Sequence, residues 1–444
     1  MIMYKQILLM YHLESRDKPM FEAMGSQIET YGLCEQVFIR NMEEVYRHPY
    51  DYSPDIVISP LPRNNRGTAM FTLLKVIYQC YWVGYTVETF YDTNEDNMWI
   101  IGNTKCPIEL IDKYLFCGPG IAALGARLLL AANRTDSSDR IDYFGYLYYE
   151  KNVIERINKS FTDDSKIFQE YKKYKKHLLF VTAIMKYPMT LDDYLGEIAI
   201  KDSRAEAARE LQKLCIANNY YSDKYIEAIC YLAKRHPDYM IMVKHHPNDN
   251  DKDAYVADSR YLAFEKFSNI YTIPGNVQIS NYFGITDVFL HYASTTSLEA
   301  YIYGIRSIGL TSNHQCMQKN GLGREAMYAN SIIEVENFED IDKEIEKDIK
   351  FERNADIEKV LYNLVNYKYG DEYAPSKRLI EILDSLDKPQ KLDKQKRNIK
   401  KVLLYKSNRK KYFEYGLDAL KSLVGGDYSK AKRIMKTFGR IISK

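Results

Sequence analysis

"DYMIMVKHHPND", residues 238–249, is an apolar run that stops at a lysine, two adjacent histidines and a proline. The run is short, lacks polar alternation and is rich in Met, Ile and Val, which reads as a strand buried on both faces of a parallel sheet. Pro247 has no N–H for a ladder and fixes the turn, so the strand ends there. Open α/β sheets bind ligands beyond the carboxyl ends of their strands. Lys244, His245 and His246 therefore stand where a ligand is expected. The dipeptide alone says little, because His48-Pro49 and His236-Pro237 repeat it in a connecting loop and at a helix-to-strand junction. Position separates the three.

Outward from this stretch, strand and helix patterns alternate. "HLLFVTAI" (177–184) precedes it, followed by helices over roughly 202–217 and 222–235. "NIYTI" (269–273), "DVFLHYA" (287–293) and "RSIGL" (306–310) come after, with the helix "TSLEAYIYG" (296–304) between the last two. Such alternation predicts a parallel sheet with helices on both faces. An earlier series begins with the strands "KQILLMYH" (5–12), "QVFIR" (36–40) and "DIVISP" (55–60), and a helix starting near Pro19. "GTAMFTLLKVIYQCYWVG" (67–84), "ELIDKYLF" (109–116) and "IAALGARLLLAA" (121–132) read as helices. The polar, charged "NKSFTDDSKIFQEYKKYKK" (158–176) separates the two series. Two helices around a turn are expected after about residue 355. The fold class is α/β, with two doubly wound, Rossmann-like domains facing a cleft. Their expected extents are 1–160 and 161–387, with a helical basic tail over 388–444.

The whole chain of 444 residues carries a formal charge of +2. Residues 388–444 hold eighteen Lys/Arg and four Asp/Glu, a local +14 that leaves −12 on the rest. The last segment, "AKRIMKTFGRIISK", groups Ile434, Phe438, Ile441 and Ile442 among cations. Contact with an anionic membrane surface suits it, as does a solvated helix on the acidic body. The seven cysteines lack CxxC spacing, which argues against a zinc or disulfide framework and fits a reducing compartment. Neither a cleavable leader nor an apolar run of about 20 residues is evident. The expected location is cytoplasmic, peripheral on the inner face of the plasma membrane if the tail binds lipid. Nucleic acid is not an expected partner.

Three groups of residues suit chemistry on a phosphate-linked substrate. His246 lies just past a strand end, where an imidazole can donate to a phosphate or protonate a leaving one. Adjacent histidines on a strand end point to opposite sides, and HExxH is absent, so a metal site is not expected. In "HYASTTSLE" (291–299), Ser294, Thr295 and Thr296 open a helix. Helix caps explain one such hydroxyl; several together with a helix start make an anion site. Glu299, a turn later, suits paired sugar hydroxyls, and Thr182 ends the second domain's first strand. In "HLESRDKP" (12–19), Glu14 and Asp17 follow strand one as candidate bases for an acceptor hydroxyl, with His12 a rival. Asp17 equally suits a helix cap. Arg16, with Arg63 and Arg66 of "SPLPRNNRGTA" (59–69), is a candidate for an acidic acceptor. "CGPGIAALGA" (117–126) lacks the GxGxxG spacing of a dinucleotide fingerprint.

The ordered set "HPDYMIMVKHHPND", "NIYTI", "ISNYFGITDVFLHYASTTSLEAYIYGIRSIGL" and "YKYGDEYAPSKRLIEIL" resembles bacterial surface-carbohydrate biosynthesis glycosyltransferases of GT-B fold. Their relatives include Kdo-transferase-like capsule enzymes, bacterial sialyltransferases and CDP-glycerol glycerophosphotransferases. The resemblance covers roughly 177–386. It implies that His246 and Pro247 contact the donor phosphate, with Lys244 beside them, that Ser294, Thr295 and Thr296 hold that phosphate, and that Glu299 is the helix's acidic residue. It also implies a nucleotide-sugar donor, CMP-linked in sialyltransferase-like members, without a tightly bound cofactor or metal. An acidic pair before glycine, the family's base motif, is not found in the first domain.

The expected function is transfer of a sugar, such as an acidic nonulosonic sugar from a CMP donor, to a surface polysaccharide, lipid-linked or glycoprotein acceptor. Three alternatives stand beside it: a CDP-glycerol-type glycerophosphotransferase, a non-catalytic membrane-surface scaffold of a glycan assembly complex, and a nucleotide-sugar epimerase.

Overall fold

The computed structural model describes residues 4–12, 14–60, 65–85, 111–131, 140–150, 166–181, 205–246, 259–275, 277–292, 294–313, 329–369 and 373–386. The expected basic tail, with Thr182, Pro247 and Arg63, lies outside them. The chain forms two compact units, Met1–Val153 with Lys359–Lys444, and Ile154–Glu358. The chain beyond residue 358 groups with the first unit.

In the first unit, strands β1 (Tyr4–Tyr11), β2 (Cys34–Asn41), β3 (Ile56–Pro60), β4 (Tyr81–Tyr85), β5 (Lys113–Phe116) and β6 (Ile141–Tyr143) form a parallel sheet in the order β2-β1-β3-β4-β5-β6. Helix α1 (Glu14–Thr30) follows β1 and α2 (Met42–Arg47) follows β2. Next come α3 (Asn65–Tyr78) and α4 (Pro119–Ala131).

Two helix expectations fail here. The run 67–84 breaks after Tyr78, where Gln79 takes φ +48, and "YWVGY" becomes β4. "ELIDKYLF" supplies β5 from Lys113 onward. Short apolar runs fit either period, and sheet pairing decides between them. A buried ion pair holds the junction: Lys75 donates to the Cys80 carbonyl (2.8 Å) and to Asp112 (2.5 Å). The same Asp112 oxygen accepts from the Trp82 N–H at 2.7 Å.

The glycines of "CGPG" have a packing role. A Cβ on Gly118 would lie 2.4 Å from the Asn363 carbonyl oxygen and the Leu364 carbonyl carbon. The returning C-terminal chain crosses there. Beyond it, a helix over Pro375–Asp384 docks through Ser376, whose N–H donates to Glu150 at 3.0 Å. The Tyr4 hydroxyl donates to the Leu383 carbonyl at 3.0 Å.

The second unit carries β7 (Lys176–Val181), β8 (Tyr239–Lys244), β9 (Ile270–Ile273), β10 (Val288–His291), β11 (Arg306–Thr311) and β12 (Ser331–Glu334). Their parallel order is β12-β11-β10-β7-β8-β9. The two faces of each strand bury different cores. Leu178, Phe180, Ile241, Val243 and Leu290 pack on Tyr221, Tyr225, Ile229 and Leu232 of the long helix α5 (Ala205–Arg235). Leu179, Val181, Met240, Met242 and Phe289 pack on Tyr282, Phe283 and Ala300. Helix α5 is continuous, where two shorter helices were expected. Among the described residues, no helix is long and apolar enough to cross a membrane.

Candidate functional site

Each sheet reverses direction once. In the second unit β8 and β9 extend from one side of β7, then β10, β11 and β12 from the other. The reversal lies between β7 and β10, and sheets of this kind take their ligands in the crevice beyond the strand ends at such a point. β8 and β10 flank β7, so their ends stand about 10 Å apart at the usual strand spacing. One presents Lys244–His246 and the other leads into Ser294–Thr296. This places the histidine pair and the hydroxyl cluster on one edge of one sheet.

The three basic residues after β8 differ in environment. Lys244 is buried and donates to the carbonyls of His245 (2.7 Å) and Gly275 (2.9 Å). Its ammonium therefore ties the end of β8 to the turn after β9. His245 extends the ladder by donating its N–H to the Ile273 carbonyl at 2.9 Å. Its ring stacks on Tyr261 with centroids 4.3 Å apart. Burial, then the Lys244 charge, push its pKa down. His246 is half-buried.

After β10 the chain turns into a helix, α6 (Thr296–Ile302). Ser294 is buried; its hydroxyl donates to the Thr296 hydroxyl (3.0 Å) and accepts from the Thr296 N–H (3.3 Å). The Ser294 carbonyl accepts from the Ser297 hydroxyl at 2.7 Å. The Ser294 hydroxyl is thus engaged at the helix start, while Thr295 and Thr296 remain partly exposed. Glu299 is half-buried, and burial pushes its carboxyl up to about 8.

His291 is the last residue of β10. It is fully buried, and burial pushes its imidazole down to about 3. Neither ring nitrogen has a hydrogen-bond partner among the described residues. Only the strand order could identify its place beside the reversal.

In the first unit the reversal lies between the adjacent strands β1 and β3. Glu14, Arg16 and Asp17 belong to the first turn of α1, not to a loop before it. Asp17 is buried, and its carboxylate accepts from the His12 N–H at 3.3 Å, closing the strand-to-helix turn. Arg66 lies in the first turn of α3. A cavity of about 350 Å³ near the end of β6 is lined by Lys368, Lys377 and Arg378 among others. Arg378 is already held by Asp142 (3.0 Å) and Glu381 (3.4 Å).

Among the described residues, one group has the makings of a metal site. His236, Asp342 and Glu346 place ligand atoms within 4.8 Å of one another. His236 precedes β8, so this group sits at the amino edge, away from the crevice. Asp342 is already paired with His236 and, at 3.5 Å, with Arg235.

No protein-family model matches the chain. No curated protein matches it either. Solved structures do share its fold. The S. aureus MnaA–UDP co-structure aligns at a TM-score of 0.50 and 12% identity, covering 87% of this chain and 99% of that one. A UDP-GlcNAc 2-epimerase from Neisseria meningitidis, bound to UDP-GlcNAc, aligns at 0.49 and 11%, covering 86% and 100%. At 12% identity the first of these likenesses shows the fold alone: two Rossmann-like units, GT-B-like.

Proposed function

We propose that the second unit binds a nucleotide-linked sugar in the crevice beyond β7, β8 and β10, and that the protein transfers this sugar to a glycan, lipid-linked or protein acceptor. The observation that carries the reading is the strand order, which sets His246 and Ser294–Thr296 on either side of β7 at the sheet's reversal point. Departure of a nucleotide requires compensation of charge on its phosphate. In this reading His246 donates to that phosphate, and Thr295 and Thr296 supply further hydroxyl donors, with Pro247 fixing the histidine's turn. A hydrogen bond to a charged group is worth about 1.5–3 kcal/mol. Glu299 is assigned to the nucleotide's sugar hydroxyls. Lys244 takes a supporting part, since carbonyls occupy its ammonium. No tightly bound cofactor is part of this proposal.

Acceptor binding is proposed for the first unit's own reversal, between β1 and β3. Glu14 is preferred to Asp17 as the base, since Asp17 is enclosed and engaged by the His12 amide. Arg16, Arg63 and Arg66 are assigned to an acidic acceptor, and residues 388–444 to an anionic membrane surface.

A second reading takes a UDP-sugar as substrate, including its epimerisation. It is favoured by the S. aureus fold relative, whose structure carries UDP. Thermal shifts of the full chain with CMP, CDP, UDP and GDP, repeated with His246→Ala, separate the readings. Selective stabilisation by CMP that vanishes in the variant supports a CMP-sugar transferase. A response to UDP supports the second reading, and one to CDP a glycerophosphotransferase. Indifference to all four removes the nucleotide-sugar proposal and leaves a scaffold.

A further inference from the structure

His291 is a polar residue in a row built for apolar ones. Val288, Phe289 and Leu290 precede it in β10, all of them buried. Its ring lies parallel to Phe289, at 5.4 Å between centroids and 14° between planes. It is 0% exposed, and both ring nitrogens lack a partner among the described residues. Native proteins satisfy nearly all buried polar atoms, and an imidazole with both nitrogens unmet destabilises the fold. A phenyl or isobutyl group would pack against Phe289 without that cost. The residue stands at the end of one of the two strands that bound the crevice.

We propose that His291 is a specificity-determining residue of the second unit's crevice, its imidazole pairing with a hydroxyl of the bound nucleotide. The inference rests on the reading that this crevice binds a nucleotide. A neutral imidazole offers one donor and one acceptor, and a hydroxyl offers the same two. A phosphate would call for a cation, whereas burial holds this ring neutral. Because the ring is enclosed in the free protein, ligand entry displaces the groups packed over it. The unmet nitrogens favour that displacement, since a ligand satisfies what the closed form does not.

The test uses the full chain as wild type, His291→Phe and His291→Gln, with UDP and CMP as probes in melting and titration. His291→Phe is expected to melt above wild type and to bind the nucleotide about tenfold more weakly. The glutamine amide, which also donates and accepts, is expected to keep affinity within about threefold of wild type. Wild-type affinity in His291→Phe overturns this inference while leaving the nucleotide reading intact. Equal loss of affinity in both variants, with lowered melting temperatures, overturns it in favour of a structural role. Failure of the wild type itself to bind either probe overturns the underlying reading, and this inference with it.

Discussion

The Tyr225 hydroxyl donates to the carbonyl of Val181, the last residue of β7, at 2.7 Å. It also lies 3.4 Å from the Leu290 carbonyl, one residue before the end of β10. One buried phenol on the long helix therefore bridges the two strands that bound the crevice. Its burial pushes its pKa well up, so it remains a donor across the ordinary pH range.

Replacing Tyr225 with Phe leaves a buried carbonyl unsatisfied at the end of β7. The expected cost is about 1–2 kcal/mol of stability. Urea denaturation measures that loss, and nucleotide-induced thermal shifts are expected to shrink with it, because the crevice edge loosens. Unchanged stability would mean that the bridge contributes nothing.

Gly118→Ala is expected to destabilise the first unit by about 1–3 kcal/mol, since its Cβ would meet backbone, which cannot rotate away. Gly32→Ala serves as a contrast: it has φ +63, and nothing lies within 4 Å of the added Cβ. There the cost is only that of the left-handed backbone, about 1 kcal/mol. Limited proteolysis of the chain after residue 359 reports whether the crossing has loosened in Gly118→Ala alone.

Lys75→Ala strands Asp112 without its buried cation. Removing one member of a buried pair costs about 3–5 kcal/mol. The melting temperature of the first unit is expected to fall accordingly, and added salt should not rescue it, because buried pairs are weakly screened.

Stability should fall above about pH 6.5 and below about pH 4.5 for two separate reasons, the two trends cancelling in between. Glu299 is raised from an ordinary 4.5 to about 8, so the folded state keeps a proton that the unfolded chain releases. Its contribution is complete below about pH 4.5 and is lost as pH rises through about 8. His291 is lowered from 6.5 to about 3, so the unfolded chain gains a proton that the folded state refuses. Its contribution is complete above about pH 6.5 and is lost as pH falls through about 3. Each limb has a limiting slope of about 1.4 kcal/mol per pH unit. Denaturation at several pH values should show Glu299→Gln removing the fall above about pH 6.5 and His291→Phe removing the fall below about pH 4.5, each also uncovering the other group's slope between those values.

The sequence by itself determined the α/β class and the two sheets. Apolar strands such as β8 and β10, cut off by Pro247 and by the hydroxyls after Ala293, carry that information locally. The patterns around β4 and β5 did not, because four or five apolar residues fit a buried helix as well as a strand, and only pairing, of β4 with β3 and of β5 with β4 and β6, chose. The tertiary structure alone decided which polar groups are spoken for. Lys244 and Asp17 looked like ligands by position, yet a carbonyl pair and a backbone amide engage them. His291 looked like a strand residue, yet both its ring nitrogens lack a partner among the described residues. Such differences depend on contacts between segments far apart in the chain, as Tyr225 to Val181 and Asn363 over Gly118 illustrate, and no local pattern encodes them.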